Sequence, residues 1–327
     1  MKRSYSGYLY IVLCAVIFST MEVMLKTVHG VFAPMQITCL RFLIGGLLLV
    51  PFALRSMKKK GAAFTRADVG FFALTGFLCV AFSMVLYQMA VTYTKASVVA
   101  IIFSCNPIFV TMLAYFLLRE EIHRNHLIAL ALELLAVLII IDPLHTTLDP
   151  VGITLVLLSA ATFALYAVLG KKQCTQYSGV AVTCFSCLAA SAEMIVLMLI
   201  SHIPAVADAL QAAGLPMFAA MPFFSGYTTG NLLNVLYICV FVTAGGYACY
   251  FMGMEATSAM QGSLVFFFKP VLAPILAMLI LGEEIPWNMW AGIGLMLVAS
   301  EVSMIPTWET LLSVRPFIID RILHRRH

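Results

Sequence analysis

The feature that most constrains this chain is a succession of ten apolar segments separated by short polar breaks. Each segment has about the 20 mostly apolar residues that a helix needs to cross a bilayer. The segments are Tyr5–Lys26, Pro34–Leu54, Val69–Val91, Ala96–Leu118, Asn125–Ile141, Pro150–Gly170, Gly179–Ser201, Leu232–Gly253, Ala259–Leu281 and Pro286–Ile305. The chain is 62% hydrophobic and 10% charged, whereas soluble domains carry about 25% charged residues. The sequence therefore predicts an all-α membrane protein with ten transmembrane helices.

The distribution of positive charge predicts the orientation of these helices. With the N-terminus inside, 15 of the 19 Lys and Arg residues fall on the inner side, and Lys26 and Lys95 fall outside. Cytoplasmic connections carry such an excess, so we expect both termini to be cytoplasmic and the chain to lie in the cell (inner) membrane. The long connection 203–231 is then external and is expected to carry a short interfacial helix near Ala205–Ala213. The basic tail 308–327 is expected on the inner leaflet.

The second half of the sequence resembles the first. The stretch TMLAYFLLREEI at Thr111–Ile122 matches PILAMLILGEEI at Pro274–Ile285 with an offset of 163 residues, and helices 1 and 6 match with an offset of 145. Each half holds five predicted spans, an odd number, so residues 145–307 must enter from the side opposite to residues 1–144. Inverted repeats of this kind are typical of secondary transporters.

The order of several short motifs resembles the drug/metabolite transporter superfamily, in particular its ten-helix EamA-type branch. The resemblance covers Gly7 to about Pro306. It is carried by Leu40-Arg41-Phe42-Leu43, Asn106-Pro107, Pro270-Val271, Leu281-Gly282-Glu283 and the lysines that close helices 1 and 6. It implies a central cavity formed by helices 1, 3, 4, 6, 8 and 9. It also implies export of metabolites, amino acids or drugs.

Lys269 is the sharpest candidate for a binding residue. A charge in the middle of a membrane helix is costly and usually faces the interior of the bundle. Two roles fit Lys269: it holds a substrate carboxylate, or it pairs with a membrane glutamate. Its equivalent in the first half is Asn106. Each residue precedes a proline, Pro107 or Pro270, which removes a backbone hydrogen bond and provides a candidate hinge.

Further candidates are aromatic and polar side chains on the helices expected to line the cavity. Ordinary packing is the alternative for each of them. They are Tyr87, Gln88, Tyr250, Phe163, Tyr166 and Phe267. Arg41, seven residues into helix 2, is expected to extend along the helix to the outer surface.

Four glutamates lie within predicted spans: Glu22, Glu133, Glu193 and Glu301. Glu22 either couples transport to protons or pairs with Lys26 one turn away. The small four-helix relatives carry a proton-coupling glutamate where this chain has Phe18, so Glu22 substitutes only partly. Glu133 is expected to be a neutral helix-contact residue, while Glu193 and Glu301 are left without a specific role.

These features predict a secondary transporter that exports a small metabolite, such as an amino acid or another carboxylate-bearing solute, by alternating access around a midplane cavity. The alternatives are an organic-cation exporter and, from another class, a membrane-embedded enzyme acting on lipids. The sequence contains no nucleotide-binding loop, GxSxG or HExxH motif. We therefore expect no catalytic activity, no cofactor and no metal. The expected partners are the solute and the bilayer, not nucleic acid, and the chain is a monomer or homodimer.

We expect a reporter fused to the C-terminus to lie in the cytoplasm, because the charge bias requires an even number of crossings. A green fluorescent protein fusion should fluoresce and an alkaline phosphatase fusion should be inactive. Phosphatase fused after Gly214, in the long connection, is the matched control and should be active. An active phosphatase at the C-terminus would contradict the predicted orientation.

Overall fold

The computed structural model of the protein describes residues 2–28, 31–93, 96–142, 149–282 and 285–304. Within these ranges the long helical segments are numbered in chain order. The continuous ones are α1 (Lys2–Thr27), α2 (Pro34–Lys60), α5 (Arg124–Ile141), α6 (Pro150–Gln173), α7 (Gly179–Ser201) and α10 (Trp287–Met304). The others consist of consecutive pieces: α3 (Arg66–Gly76, Phe77–Met84 and Val85–Tyr93), α4 (Ala96–Phe103 and Asn106–Leu118), α8 (Leu232–Tyr237, Ile238–Gly246 and Tyr247–Ala256) and α9 (Ala259–Ser263 and Val265–Leu281).

Nine helices among the described residues are long and apolar enough to cross a membrane. They correspond to α1 through α9, and each overlaps the predicted span of the same number. The helix α10 lies at the position of the tenth predicted span and packs along α5, but it is not one of the nine. A multi-pass helical membrane fold is therefore confirmed, while the tenth crossing stays a prediction.

Local sequence signals fix where several helices begin and end. Asp149 caps α6, because its carboxylate accepts hydrogen bonds from the backbone N–H groups of Val151 (2.8 Å) and Gly152 (2.9 Å). Ser178 caps α7 in the same way. Gly61 ends α2 with φ 64°, a left-handed conformation that glycine adopts without a Cβ penalty. The helix α2 thus runs past the predicted boundary at Leu54.

Two widened π-helical stretches occupy equivalent positions in the two halves of the chain. One is Phe77–Met84 in α3 and the other is Ile238–Gly246 in α8. With the offset of 163 residues, Phe77 aligns with Val240 and Met84 with Tyr247. Extended π-helix is rare and often occurs at functional sites. The matched positions therefore make the region between α3 and α8 a candidate functional region.

The helices α4 and α9 are both interrupted, and the candidate hinge prolines differ in how they relate to the breaks. Pro107 is in the first turn of the second piece of α4, directly after the break between Phe103 and Asn106. Pro270 lies inside the second piece of α9, after an interruption at Leu264. A proline is tolerated in a first turn because that N–H has no helical partner. Pro107 therefore starts a helix, whereas Pro270 removes a bond inside one.

Close helix packing determines which segments form the interior. The helix α1 packs between α8 and α9, α2 packs along α7, and α6 packs against α3 and α4. Gly76 allows α3 to approach α7, since a Cβ added at Gly76 would lie 2.6 Å from the backbone nitrogen of Ala190. Such a contact requires the backbone to shift.

The long connection between α7 and α8 packs against the start of α2. It contains a helix, Pro204–Ala212, which confirms the predicted short helix. The amide nitrogen Nε2 of Gln36 donates to the carbonyl oxygens of Phe223 (3.1 Å) and Ser225 (2.9 Å). The basic tail 308–327 lies outside the described residues.

Gly76→Ala is expected to destabilise the protein by about 1–3 kcal/mol, because the new methyl group meets backbone and not a movable side chain. Gly70→Ala on the same helix is the matched control, since nothing lies within 4 Å of its added Cβ. The midpoint of thermal unfolding of the detergent-purified protein measures both. Equal midpoints for the two variants would contradict the close approach of α3 and α7.

Candidate functional site

Ten aromatic rings form one connected group where α1, α2, α3, α4, α6, α8 and α9 meet. We call it the aromatic cluster; it consists of Phe18, Phe42, Tyr87, Phe103, Phe163, Tyr166, Tyr247, Tyr250, Phe251 and Phe266. Phe163 lies within it, with its ring centroid 5.5 Å from that of Phe103 and 5.8 Å from that of Phe266. Most of these pairs are edge-to-face, the arrangement that the ring quadrupole favours.

The aromatic cluster is built largely from equivalent positions of the two halves. Phe18 and Phe163 correspond at the offset of 145, and their side chains both contact Tyr250. Tyr87 corresponds to Tyr250 and Phe103 to Phe266 at the offset of 163. The rings of Phe103 and Phe266 have centroids 6.1 Å apart. The self-similarity seen in sequence thus converges on one place in the structure.

Four of the aromatic candidates, Tyr87, Tyr250, Phe163 and Tyr166, belong to the aromatic cluster. Phe267 does not: it lines a small cleft with Pro107 and residues from α5 and α10. Phe266, one residue earlier and about 100° around the helix, contributes its ring instead. The alignment of the two halves could have identified Phe266 from the sequence, since it pairs this residue with Phe103. The side chain of Gln88 lies outside the described part.

Asn106 and Lys269, the equivalent polar residues of the two halves, are both buried. The amide Nδ2 of Asn106 donates to the carbonyl oxygen of Ala160 on α6 (2.8 Å), while its Oδ1 has no hydrogen-bond partner among the described residues. Lys269 is only 5% exposed. It follows Phe266 by one helical turn and lies within electrostatic range of the thiol of Cys14 on α1. Both residues therefore adjoin the aromatic cluster.

Arg41 is a second buried cation, and the expectation that it reaches the outer surface is wrong. It is 2% exposed. Its Nη1 and Nη2 atoms donate to the thioether sulfurs of Met21 (3.3 Å) and Met84 (3.9 Å), and its guanidinium lies 4.8 Å from the ring centroid of Phe42. Helices α1, α3 and α8 surround this position, so the side chain is enclosed in the bundle and does not reach the outer surface.

The four glutamates of the predicted spans occupy different environments. Glu133 is fully buried in α5, and neither carboxyl oxygen has a hydrogen-bond partner within the described part of the chain. Glu193 is half-buried and Glu301 is exposed. Glu22 lies in α1, but its side chain is outside the described part, so its pairing with Lys26 and its coupling role both stay predictions.

Polar groups join the helix ends at the predicted cytoplasmic face, where α1 begins and α2, α6 and α8 end. Lys60 Nζ donates to Glu255 Oε1 (2.6 Å) and to the carbonyl oxygens of Cys174 (3.0 Å) and Tyr177 (2.8 Å). The other carboxylate oxygen of Glu255 accepts from the backbone N–H of Gly179 (2.6 Å). One ion pair thus links the ends of α2 and α8 to the connection between α6 and α7.

Glu120 and Lys171 extend this network to α9. The carboxylate of Glu120, at the end of α4, accepts from the backbone N–H groups of Ala259 (2.8 Å) and Met260 (3.1 Å). Lys171 Nζ donates to carbonyl oxygens at the end of α8, including that of Thr257 (3.2 Å). An anion at a helix start and a cation at a helix end both complement the helix dipole. The network therefore holds these helix ends together.

A cavity of about 480 Å³ lies beside the network. Its lining includes Lys60, Lys171 and Glu255, together with Tyr10 at the start of α1. Burial raises the pKa of the lining thiol of Cys174 to about 12, so this group stays a neutral thiol at physiological pH. Two ammonium groups against one carboxylate give the cavity a positive lining.

Comparisons of sequence and of structure each find similar proteins over most of this chain. The model of the EamA-like transporter family matches residues 5–142 and 150–304. A relative from Clostridium kluyveri, named as an uncharacterized transporter, is 35% identical over 91% of this chain and 92% of its own. Protein PagO of Salmonella typhimurium is 26% identical over 81% of this chain and 80% of its own. A solved crystal structure with 15% identity covers 93% of this chain and 96% of its own, with a TM-score of 0.70.

The helical fold is that of a multi-pass membrane protein, and the family match and the names of the relatives define a transporter and not an enzyme. The chain belongs to the EamA-like transporter family. The resemblance to the drug/metabolite transporter superfamily is thereby confirmed.

Tyr250→Phe is expected to leave the protein as stable as before or more stable, because the Tyr250 hydroxyl is buried without a hydrogen-bond partner among the described residues. Tyr177→Phe is the matched control, since the equally buried Tyr177 donates to the carbonyl oxygen of Ala63 (3.1 Å). Loss of this hydrogen bond should lower the free energy of unfolding by about 1 kcal/mol. Thermal unfolding midpoints test the pair, and a larger loss for Tyr250→Phe would mean that its hydroxyl is engaged.

Proposed function

We propose that this chain is a secondary transporter that exports a small carboxylate-bearing solute, such as an amino acid, across the cell (inner) membrane by alternating access. The observation that carries the proposal is the aromatic cluster, assembled from equivalent positions of the two halves and bordered by the buried ammonium of Lys269. Aromatic faces accommodate the apolar part of a solute, and the ammonium attracts its carboxylate. Asn106 adds an amide oxygen with no partner among the described residues.

Alternating access rests on the two halves, residues 1–144 and 145–307, being inverted copies. The family model matches residues 5–142 and 150–304, a division close to this boundary. The matched π-helical stretches of α3 and α8 also support it. Two similar halves that exchange conformations give inward-open and outward-open states of similar free energy. The connection 203–231 is then an addition to the second half.

The contacts at the predicted cytoplasmic face are weak enough to open during a transport cycle. The side chains of Lys60 and Glu255 are 33% and 28% exposed, and ion pairs in contact with water contribute only about 0–1 kcal/mol. Water can replace these contacts when the helix ends separate. The breaks in α4 and α9 near Pro107 and Pro270 provide the flexible points, and Glu22 is the proposed site of proton coupling.

An organic-cation exporter is the second candidate, because aromatic faces also bind cations. The buried positive charges of Lys269 and Arg41 at the edges of the aromatic cluster disfavour it, since like charges in a medium of low dielectric constant repel strongly. A solute with a negative group is instead attracted by these two positive charges. The electrostatics of the site therefore favour the carboxylate.

Lys269→Met is expected to abolish carboxylate binding and transport while leaving the folded protein intact, because Met fills the same volume without charge. Lys172→Met at the exposed end of α6 is the matched control. Purified protein should be screened by thermal shift against alanine, glutamate, butyrate and succinate, with tetraphenylphosphonium as the organic cation. Counterflow of the best ligand in liposomes then measures transport. Unchanged transport by Lys269→Met, or stabilisation by the cation alone, would contradict the proposed site.

A further inference from the structure

The guanidinium of Arg41 is buried and has only weak hydrogen-bond partners among the described residues. Its terminal nitrogens donate to two thioether sulfurs, which are weak acceptors. Its Nε is buried and has no hydrogen-bond partner in the described part of the chain. An arginine does not lose its proton in proteins, so it cannot escape burial by becoming neutral. A site with this chemistry favours an incoming oxyanion, which the planar guanidinium binds with two parallel hydrogen bonds.

The surroundings of Arg41 suit a ligand site more than a structural one. Met84 closes the π-helical stretch of α3, and Cys239, within electrostatic range of the guanidinium, belongs to that of α8. Arg41 therefore lies between the two widened helical turns. Methionine side chains are flexible and adapt easily to a bound group. Met21 and Met84 can move aside when a stronger acceptor arrives.

Arg41 of α2 and Lys269 of α9 lie beside the same face of α1, at different heights along its axis. Lys269 is near Cys14, Arg41 contacts Met21, and the ring of Phe18 lies between these two levels. Cys14, Phe18 and Met21 follow the spacing of one helical face. Cys14 and Met21 are separated by about 10 Å along the helix axis. The two cations thus border the aromatic cluster from opposite ends.

We propose that Arg41 forms a second carboxylate subsite and that the solute is a dicarboxylate, held by Lys269 at one end and by Arg41 at the other. Its apolar middle lies against the aromatic cluster. This inference rests on the proposed function, because it takes Lys269 as the first carboxylate site. It narrows the solute from any carboxylate-bearing molecule to one with two negative groups.

The test compares dicarboxylates with monocarboxylates of equal carbon number, using purified full-length protein in detergent. The pairs are succinate with butyrate, glutarate with valerate, and adipate with hexanoate, and dissociation constants are measured by calorimetry. At least one dicarboxylate should bind about tenfold or more tightly than its partner, the effect of one charged hydrogen-bonded contact. Arg41→Gln should reduce this preference about tenfold, and Arg41→Lys should restore part of it. Arg55→Gln, at the exposed end of α2, is the matched control.

The outcomes separate this inference from the proposed function. If the wild-type protein binds both members of each pair equally, or if Arg41→Gln weakens both equally, Arg41 has a structural role and the dicarboxylate inference is wrong, while the carboxylate site at Lys269 stands. If no carboxylate binds the wild-type protein, the proposed function itself fails. If Arg41→Gln does not fold, the wild-type protein is used to compare the affinities for succinate and for its monoamide, which lacks one of the two negative charges. Equal affinities would overturn the inference.

Discussion

Positive charge enclosed in an apolar helical bundle is the constraint on which the centre of this protein depends. Only 10% of the residues are charged, yet Arg41 and Lys269 are buried where helices meet. Enclosed charge is costly unless it is paired or used to bind a ligand. Around Arg41, an aromatic ring and thioether sulfurs lower this cost without neutralising the guanidinium. The proposed preference for an anionic solute rests on these enclosed positive charges.

The internal duplication explains both the symmetry of this centre and its one important asymmetry. Equivalent rings of the two halves, such as Phe103 and Phe266, meet in the aromatic cluster. The equivalent polar positions differ, however: the first half has the neutral Asn106 and the second has the cationic Lys269. The proposed alternating access would take place around this centre.

The sequence predicted the helical membrane fold and four rings of the aromatic cluster, because hydropathy and repeat spacing are local signals. It did not single out Phe266, because α9 is mostly apolar and periodicity does not tell Phe266 from Phe267. It failed at Arg41 because depth along a helix does not reveal which neighbours enclose a side chain. Tertiary packing of α1, α3 and α8 decides that. Glu133 is buried, as expected of a helix-contact residue, and its carboxyl oxygens have no hydrogen-bond partner among the described residues.

A structure determined with a bound carboxylate solute tests the central claim most directly. The account predicts density against the aromatic cluster, with a carboxylate oxygen within hydrogen-bond distance of Lys269 Nζ and the rings of Tyr250 and Phe163 in contact with the rest of the solute. Density confined to the cavity beside Lys60 and Glu255, with the aromatic cluster packed as it is here, would contradict the claim.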